Sequence, residues 1–267
     1  MIMETIINVK NLTCLVGNKA ILSNVDWQIE KGDHWVVFGL NGSGKTTLLS
    51  ILAGYRSYTS GTVEVFGDSY TEQNILEKRK RIGWISSSFY DKYYTKESVL
   101  HIVLAGVTGK LGVNGSITNA DIKRAKYLLV ELGLAEKTNR TFDLLSKGER
   151  QSVLIARELM TNPEILILDE PGTGLDIYAR ERMLSLVKRL SCNPEITIIY
   201  VTHYTEEILD IFDKCLLLKN GQVYAIGNTQ ALFQEGVISD FLNTSAKIKN
   251  VDGSYYIGIA DSEQILL

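Results

Sequence analysis

The run Gly39-Leu40-Asn41-Gly42-Ser43-Gly44-Lys45-Thr46-Thr47 carries chemistry by residue type and spacing alone. It follows Trp35-Val36-Val37-Phe38, which reads as a buried strand, and precedes Leu48–Ala53, which reads as a helix stopped by Gly54. The pattern G-x-x-x-x-G-K-[ST] between strand and helix is that of a phosphate-binding loop. Its small residues let backbone N–H groups turn inward onto phosphate oxygens, and the helix N-terminus points at them. Lys45 is then expected to reach the β- and γ-phosphates, and the Thr46 hydroxyl to complete the shell of a Mg²⁺ ion. The expectation is a site for a nucleoside triphosphate.

Two further stretches could add to that site. Ile165-Leu166-Ile167-Leu168 is an apolar strand ending in Asp169-Glu170. Phosphate-loop enzymes need a carboxylate at such a strand end to hold Mg²⁺, which Asp169 fits. Glu170 is placed to polarise the water that attacks the γ-phosphate, and a positioned base is worth about 10² to 10⁴ in rate. Leu145-Ser146-Lys147-Gly148-Glu149-Arg150-Gln151 opens a helix running to about Met160. Ser146 and Glu149 have capping-box spacing, and a capped start with a glycine in its first turn also presents N–H groups to an anion. On the residues alone both readings of this segment stay open.

The surrounding elements must bring these stretches together. Ile6 to Glu30 alternates about the turn Gly17-Asn18-Lys19 and predicts two or three antiparallel strands. Another strand is predicted at Thr62–Phe66, a helix around Ile75–Lys80 and a strand at Ile82–Ser86. From about Phe89 to Met160 the pattern is mostly helical, with Val99–Ala105 and Ala120–Leu132 separated by a glycine-marked loop at Gly106, Gly109, Gly112 and Gly115. After Pro163, strand and helix alternate: Ile165–Leu168, Tyr178–Leu190, Ile196–Val201, Glu206–Ile211. That alternation predicts an α/β fold with a mainly parallel sheet covered on both faces. Lys214–Leu218 and Gln222–Ile226 flank Asn220-Gly221, a hairpin turn. Asn243 to Leu267 is polar and then briefly strand-like, and its role is not assigned.

The chain has 267 residues, 45% hydrophobic and 22% charged, enough for a substantial core. A formal charge of −3 gives no bulk field toward nucleic acid. The basic run Lys78-Arg79-Lys80-Arg81 is read as a solvated helix end. Cys14, Cys192 and Cys215 lack metal-ligand spacing and suit a reducing cytosol, where thiols act as small core residues. Met1-Ile2-Met3-Glu4 does not begin a signal-peptide pattern, so none is expected. The longest apolar runs are strand length, short of the roughly twenty residues of a membrane span, so any spanning is assigned to other chains.

Together with Thr173-Gly174-Leu175-Asp176 and Val201-Thr202-His203 later in the chain, these motifs give a sequence that resembles the ATP-binding subunit of an ABC transporter, over roughly Ile6 to Leu242. The resemblance implies a P-loop NTPase fold with an N-terminal antiparallel β subdomain and a helical subdomain inserted at about residues 88–160, in an ATP-binding domain spanning 1–243. Residues 244–267 would be a C-terminal extension. It also implies that Ser146 and Gly148 meet the γ-phosphate of ATP held by a second copy of the domain, Lys147 replacing the commoner glycine between them. The segment ending in Asp176 resembles the loop whose aspartate crosses the dimer interface, and the one ending in His203 the segment whose histidine contacts the γ-phosphate. ATP and Mg²⁺ would be the ligands. The partners would be a second ATP-binding domain and membrane-spanning transporter subunits, at the inner face of the cell membrane on the cytoplasmic side, with no nucleic acid expected.

Two positions depart from the family pattern. Where the family stacks an aromatic ring on adenine, alignment on Gly17 places Val16, so looser base discrimination is expected. Where the family has a glutamine touching Mg²⁺ and the attacking water, the sequence is Ser86-Ser87-Ser88, with Ser87 at the matching position and a bridging water expected. The serine run is similar to that of ATP-binding subunits described as resembling molybdate or photorepair proteins. Tyr90, Tyr93 and Tyr94 come next, either facing a membrane partner or covering the helical subdomain. Three function classes stay open: an energy-supplying transporter subunit, a soluble ATPase of the same fold acting on nucleic acid or ribosomes, and a non-catalytic nucleotide-dependent module. The paired ATP domains or long coiled insertion frequent in the second are not in this sequence, and the presence of both Glu170 and His203 speaks against the third.

Overall fold

A computed structural model describes residues 4–86, 96–109, 116–251 and 253–259. Two sheets and a hairpin make up its β structure. The strands β1 (Thr5–Val16), β2 (Lys19–Glu30), β4 (Ser60–Val65) and β5 (Asp68–Ser69) form an antiparallel sheet in the order β2-β1-β4-β5. The larger sheet runs β10-β9-β3-β8-β7-β6, built from β3 (His34–Phe38), β6 (Ile82–Ser86), β7 (Ile165–Asp169), β8 (Thr197–Thr202), β9 (Lys214–Lys219) and β10 (Gln222–Asn228). Its pairings are parallel except β9 with β10, joined by the turn at Asn220-Gly221.

The continuous apolar runs of these strands follow from burial on both faces. Because side chains alternate, each strand splits its residues between two cores. Val36, Phe38, Leu166, Leu168, Ile198, Tyr200, Cys215 and Leu217 enter one. Trp35, Val37, Ile165, Ile167, Ile199, Val201, Leu216 and Leu218 enter the other. The first core is closed by the helices α3 (Val99–Ala105), α4 (Asn119–Glu131), α5 (Lys147–Glu158), α6 (Ile177–Ser191) and α8 (Glu235–Leu242). The second is closed by α1 (Lys45–Leu52) and the inner face of the antiparallel sheet. Helices α2 (Ile75–Arg81) and α7 (Thr229–Leu232) complete the set among the described residues.

The architecture is the expected P-loop NTPase fold, with local corrections. Glu206–Ile211 is not a helix: Thr205–Glu207 makes a single 3₁₀ turn and Ile208 is extended. The side chain of Glu207 is drawn into the core, where Tyr200 and Thr202 donate to it, and that contact overrides helical continuation. The basic run is not a solvated end either. Lys78 is buried and donates to the Val65 and Asp68 carbonyls, Arg79 lies over the Tyr55 ring, and Arg81 covers Phe66 while pairing with Glu164. Burial holds the Lys78 ammonium below its usual range. Cys14 and Cys215 are core residues as expected, but Cys192 is exposed at the end of α6. The unassigned C-terminal stretch forms a hairpin of β11 (Ala246–Val251) and β12 (Ser254–Ile259), which packs on the turn Thr205–Glu207.

Candidate functional site

The larger sheet places its chemistry at the carboxyl ends of four neighbouring parallel strands, where open α/β sheets bind ligands. Phe38 ends β3 opposite Thr202 of β8, Val201 lies opposite Asp169 of β7, and Asp169 lies opposite Ser86 of β6. The phosphate loop therefore opens beside the segments carrying His203, Glu170 and Ser86.

Within that loop Leu40, Asn41 and Gly42 are exposed and Ser43 is buried. Gly44 precedes α1 with φ 103°, a conformation costly for other residues, and a side chain there would press on Leu22 and the Ile21 carbonyl of β2. The hairpin turn of β9 and β10 braces the loop from the far side, the Gly221 N–H donating to the Ser43 carbonyl at 2.9 Å. Thr47 uses its carbonyl to hold the Ser50 hydroxyl at 2.8 Å.

Lys45 is 5% exposed and donates to the Gly39 and Leu40 carbonyls at 2.7 and 3.2 Å. It also pairs with Glu170 Oε1 at 3.2 Å. His203 Nδ1 lies 3.3 Å from that same oxygen, yet at an angle that makes no hydrogen bond. Glu170 itself has φ 51°, the bend that swings its carboxylate off the strand, and its N–H donates to the Val201 carbonyl. The Thr46 hydroxyl donates to Asp169 Oδ1 at 3.3 Å. Asp169 is 5% exposed, and burial raises its carboxyl from the ordinary 3.8 to about 6, against hydrogen bonds from Thr46 and Ser86 that favour the anion.

This donor set fits Mg²⁺ with a polyphosphate. A hydroxyl and a carboxylate are hard oxygen ligands, and Mg²⁺ characteristically takes one or two such groups together with substrate phosphates and waters. Among the described residues the buried Ser43 hydroxyl has no hydrogen-bond partner, and the Lys45 ammonium is occupied only by its own loop and Glu170. Both are groups that an anion in the loop would satisfy. Among the described residues no cluster of three or more His, Cys, Asp or Glu offers a metal a cage of its own, which leaves phosphate oxygens to complete a shell.

Ser146, Gly148 and Asp176 are brought together elsewhere. Ser146 caps α5 in a full capping box with Glu149, and Asp176 caps α6 through Ala179 N–H at 2.8 Å. The two helix starts touch, Gly148 against Ala179, and all three residues line one cleft of about 710 Å³ that no phosphate-loop residue lines. Ser146 and Asp176 are exposed. Val16 is half-exposed at the tip of the β1–β2 hairpin, whose Ile21 and Leu22 brace Gly44. Ser87, with Tyr90, Tyr93 and Tyr94, lies outside the described residues. Sequence reading passed over Ser86, whose hydroxyl reaches Asp169. The serine run was the available signal, but only the β6–β7 register shows which serine faces the carboxylate.

Fold and site together define a P-loop nucleoside triphosphatase. A model of the ABC transporter family matches residues 22–173. The chain is 39% identical over 241 residues to an uncharacterized ABC transporter ATP-binding protein, YlmA, of Bacillus subtilis, covering 90% of this chain and 91% of that one. It is 32% identical over 194 residues to the ABC transporter ATP-binding protein ModF of Escherichia coli, covering 72% of this chain and 40% of that one. A solved inward-facing structure of a proposed metal-chelate type ABC transporter superposes with a TM-score of 0.76 at 27% identity, covering 99% of this chain and 100% of that one. The chain belongs to the ABC transporter family, as an ATP-binding domain, and is an ATPase.

Proposed function

We propose that this chain is the cytoplasmic energy-supplying subunit of an ABC transporter, in which ATP closes a pair of ATP-binding domains and hydrolysis opens it. One observation carries the reading. The groups suited to phosphate, Mg²⁺ and water converge within the chain, while Ser146, Gly148 and Asp176 gather on a separate exposed edge. A half-site of each kind is what a head-to-tail pair would use.

In this reading Lys45, the loop from Gly39 to Thr47 and the Ser43 hydroxyl bind phosphates, with Thr46 and Asp169 holding Mg²⁺. The metal, when bound, supplies charge neutralisation at the phosphate oxygens. Glu170 rests against Lys45 and His203, so an arriving γ-phosphate that engages Lys45 frees its carboxylate to take a proton from water. His203 then faces the γ-phosphate. Ser146, Gly148 and Asp176 complete the site of the second copy. Residues 1–243 form the ATP-binding domain, with a helical subdomain at about 88–160, and 244–267 extend it. Relatives named as import proteins for phosphonates and methionine support a membrane permease as partner and a place at the inner membrane face. The molybdate- or photorepair-like grouping rests on the serine run Ser86-Ser87-Ser88 alone.

Glu170→Gln tests the mechanism. The variant should bind ATP with near-native affinity, lose at least about 10²-fold in turnover, and elute as a dimer in ATP during size-exclusion chromatography. A variant that stays monomeric in ATP and hydrolyses normally rejects the assignment. Detergent co-purification of a chain with several membrane spans would separate this reading from a ribosome- or nucleic-acid-directed ATPase.

A further inference from the structure

Glu207 has no part in the proposed hydrolytic mechanism, yet it is the most completely enclosed carboxylate among the described residues, at 0% exposure. Its Oε2 accepts from Thr202 Oγ1 at 2.7 Å and from the Tyr200 hydroxyl at 3.1 Å. Thr202 spends its one proton on Glu207 and in turn accepts the Tyr204 N–H at 2.9 Å, which bends the chain around the intervening His203. The other oxygen, Oε1, lies 3.5 Å from Arg180 Nε in an ion pair without hydrogen-bond geometry. Arg180 stands in the first turn of α6, its N–H held by the Asp176 carbonyl, and its guanidinium lies over the Tyr204 ring at 5.2 Å. That ring in turn stacks on His203 at 4.1 Å between centroids.

The carboxylate also rests directly on Gly172, where even a Cβ would overlap Oε1. Gly172 lies between Glu170 and Asp176, and its carbonyl accepts the Leu175 N–H in the turn that leads to Asp176. A buried carboxylate is costly unless its partners are kept, and burial does raise the Glu207 carboxyl above its usual range. The site is therefore sensitive to small displacements of any of the three segments around it.

We propose that Glu207 is a positioning residue that ties the His203 bend to the Gly172–Asp176 turn and the start of α6, so that the γ-phosphate contact and the cross-interface contact are set as one unit. The inference rests on the roles proposed for His203 and Asp176. Glu207→Gln keeps an oxygen for Thr202 and Tyr200 and gives up the charge facing Arg180. Arg180→Gln removes the same pair from the other side, together with the Arg180 contacts to Glu206 and the Tyr204 ring.

Wild type, Glu170→Gln, Glu207→Gln, Arg180→Gln and the double variant Glu207→Gln/Arg180→Gln are compared as full chains for ATP affinity, KM, kcat and ATP-driven dimer formation. Each single variant at Glu207 or Arg180 should lower kcat and the dimer association constant about tenfold, with ATP affinity and KM within about twofold. The double variant should be no worse than either single one. A side chain that only stabilises the fold would lower the fraction of chain able to bind ATP and leave kcat per bound ATP unchanged, which overturns the proposal. Additive losses, or native turnover in both single variants, also overturn it. If wild type neither hydrolyses ATP nor pairs through it, the functional reading falls and takes this inference with it. If wild type does both and the Glu207 and Arg180 variants match it, only the inference falls.

Discussion

At the scale of single residues, the site shows charges held ready in a dry place at a cost to the fold. Asp169 is the plainest case. Its carboxyl titrates near 6 instead of near 3.8, roughly 3 kcal/mol against the ionised form. Between those values the folded chain holds a proton that the unfolded chain releases, so stability from this group is highest below about pH 4 and is lost as pH rises through about 6. Asp169→Asn should therefore gain on wild type by about 1–3 kcal/mol in urea unfolding between pH 4.5 and pH 7.5, without Mg²⁺ or nucleotide. The same variant should lose the thermal protection that MgATP gives wild type. An equal stability difference at both pH values would refute the burial argument. The phosphate loop, Asp169 and Glu170 were legible in the sequence because each sits in a short contiguous motif. Ser86 was not, since its hydroxyl meets Asp169 through strand pairing across a long separation in the chain.

At the scale of elements, the proposed function gives the start of α5 a second task for one residue. Ser146 terminates the helix by accepting the Glu149 N–H, and Glu149 returns the bond to the Ser146 N–H while also pairing with Lys137. Helix capping alone would explain the sequence, so a substitution has to separate capping from anion recognition. Ser146→Ala should cost about 1 kcal/mol through the lost cap. Ser146→Asp should restore that stability, because aspartate caps as well and its charge suits the helix N-terminus. It should nevertheless weaken ATP-driven dimer formation at least about tenfold, since it places a carboxylate where a second copy's γ-phosphate is proposed to sit. Recovery of both properties in the aspartate variant would reduce Ser146 to a cap. The capping box could be read from Ser-x-x-Glu spacing, whereas the contact of this helix start with that of α6 could not.

At the scale of the whole molecule, the C-terminal hairpin is joined to the ATPase core and not merely appended to it. Tyr255 is nearly buried and stacks on Phe233 at 4.9 Å, and Phe233 meets Phe38 at the end of the phosphate-loop strand. The hairpin also covers the turn Thr205–Glu207 that lies just beyond His203. Ending the chain after Ser245 should lower Tm by roughly 5 °C or more, given about 2–4 °C per kcal/mol for a domain of this size. Turnover should fall further than ATP affinity, measured by steady-state hydrolysis and calorimetric titration. A truncated chain with native Tm and kcat would show the hairpin to be energetically separate.

The sequence by itself determined the phosphate loop, the two acids Asp169 and Glu170 at the end of β7, the Ser146 capping box and most of the strand-helix alternation, because each depends on neighbours a few residues away. Only the tertiary structure decided that Glu206–Ile211 leaves the helical path, that Lys78 is a buried donor, and that Ser86 faces Asp169. The tertiary structure also placed Gly172 beneath Glu207. Those outcomes depend on strand register and on where a buried polar group can find its partner, and residues far apart in the chain set both.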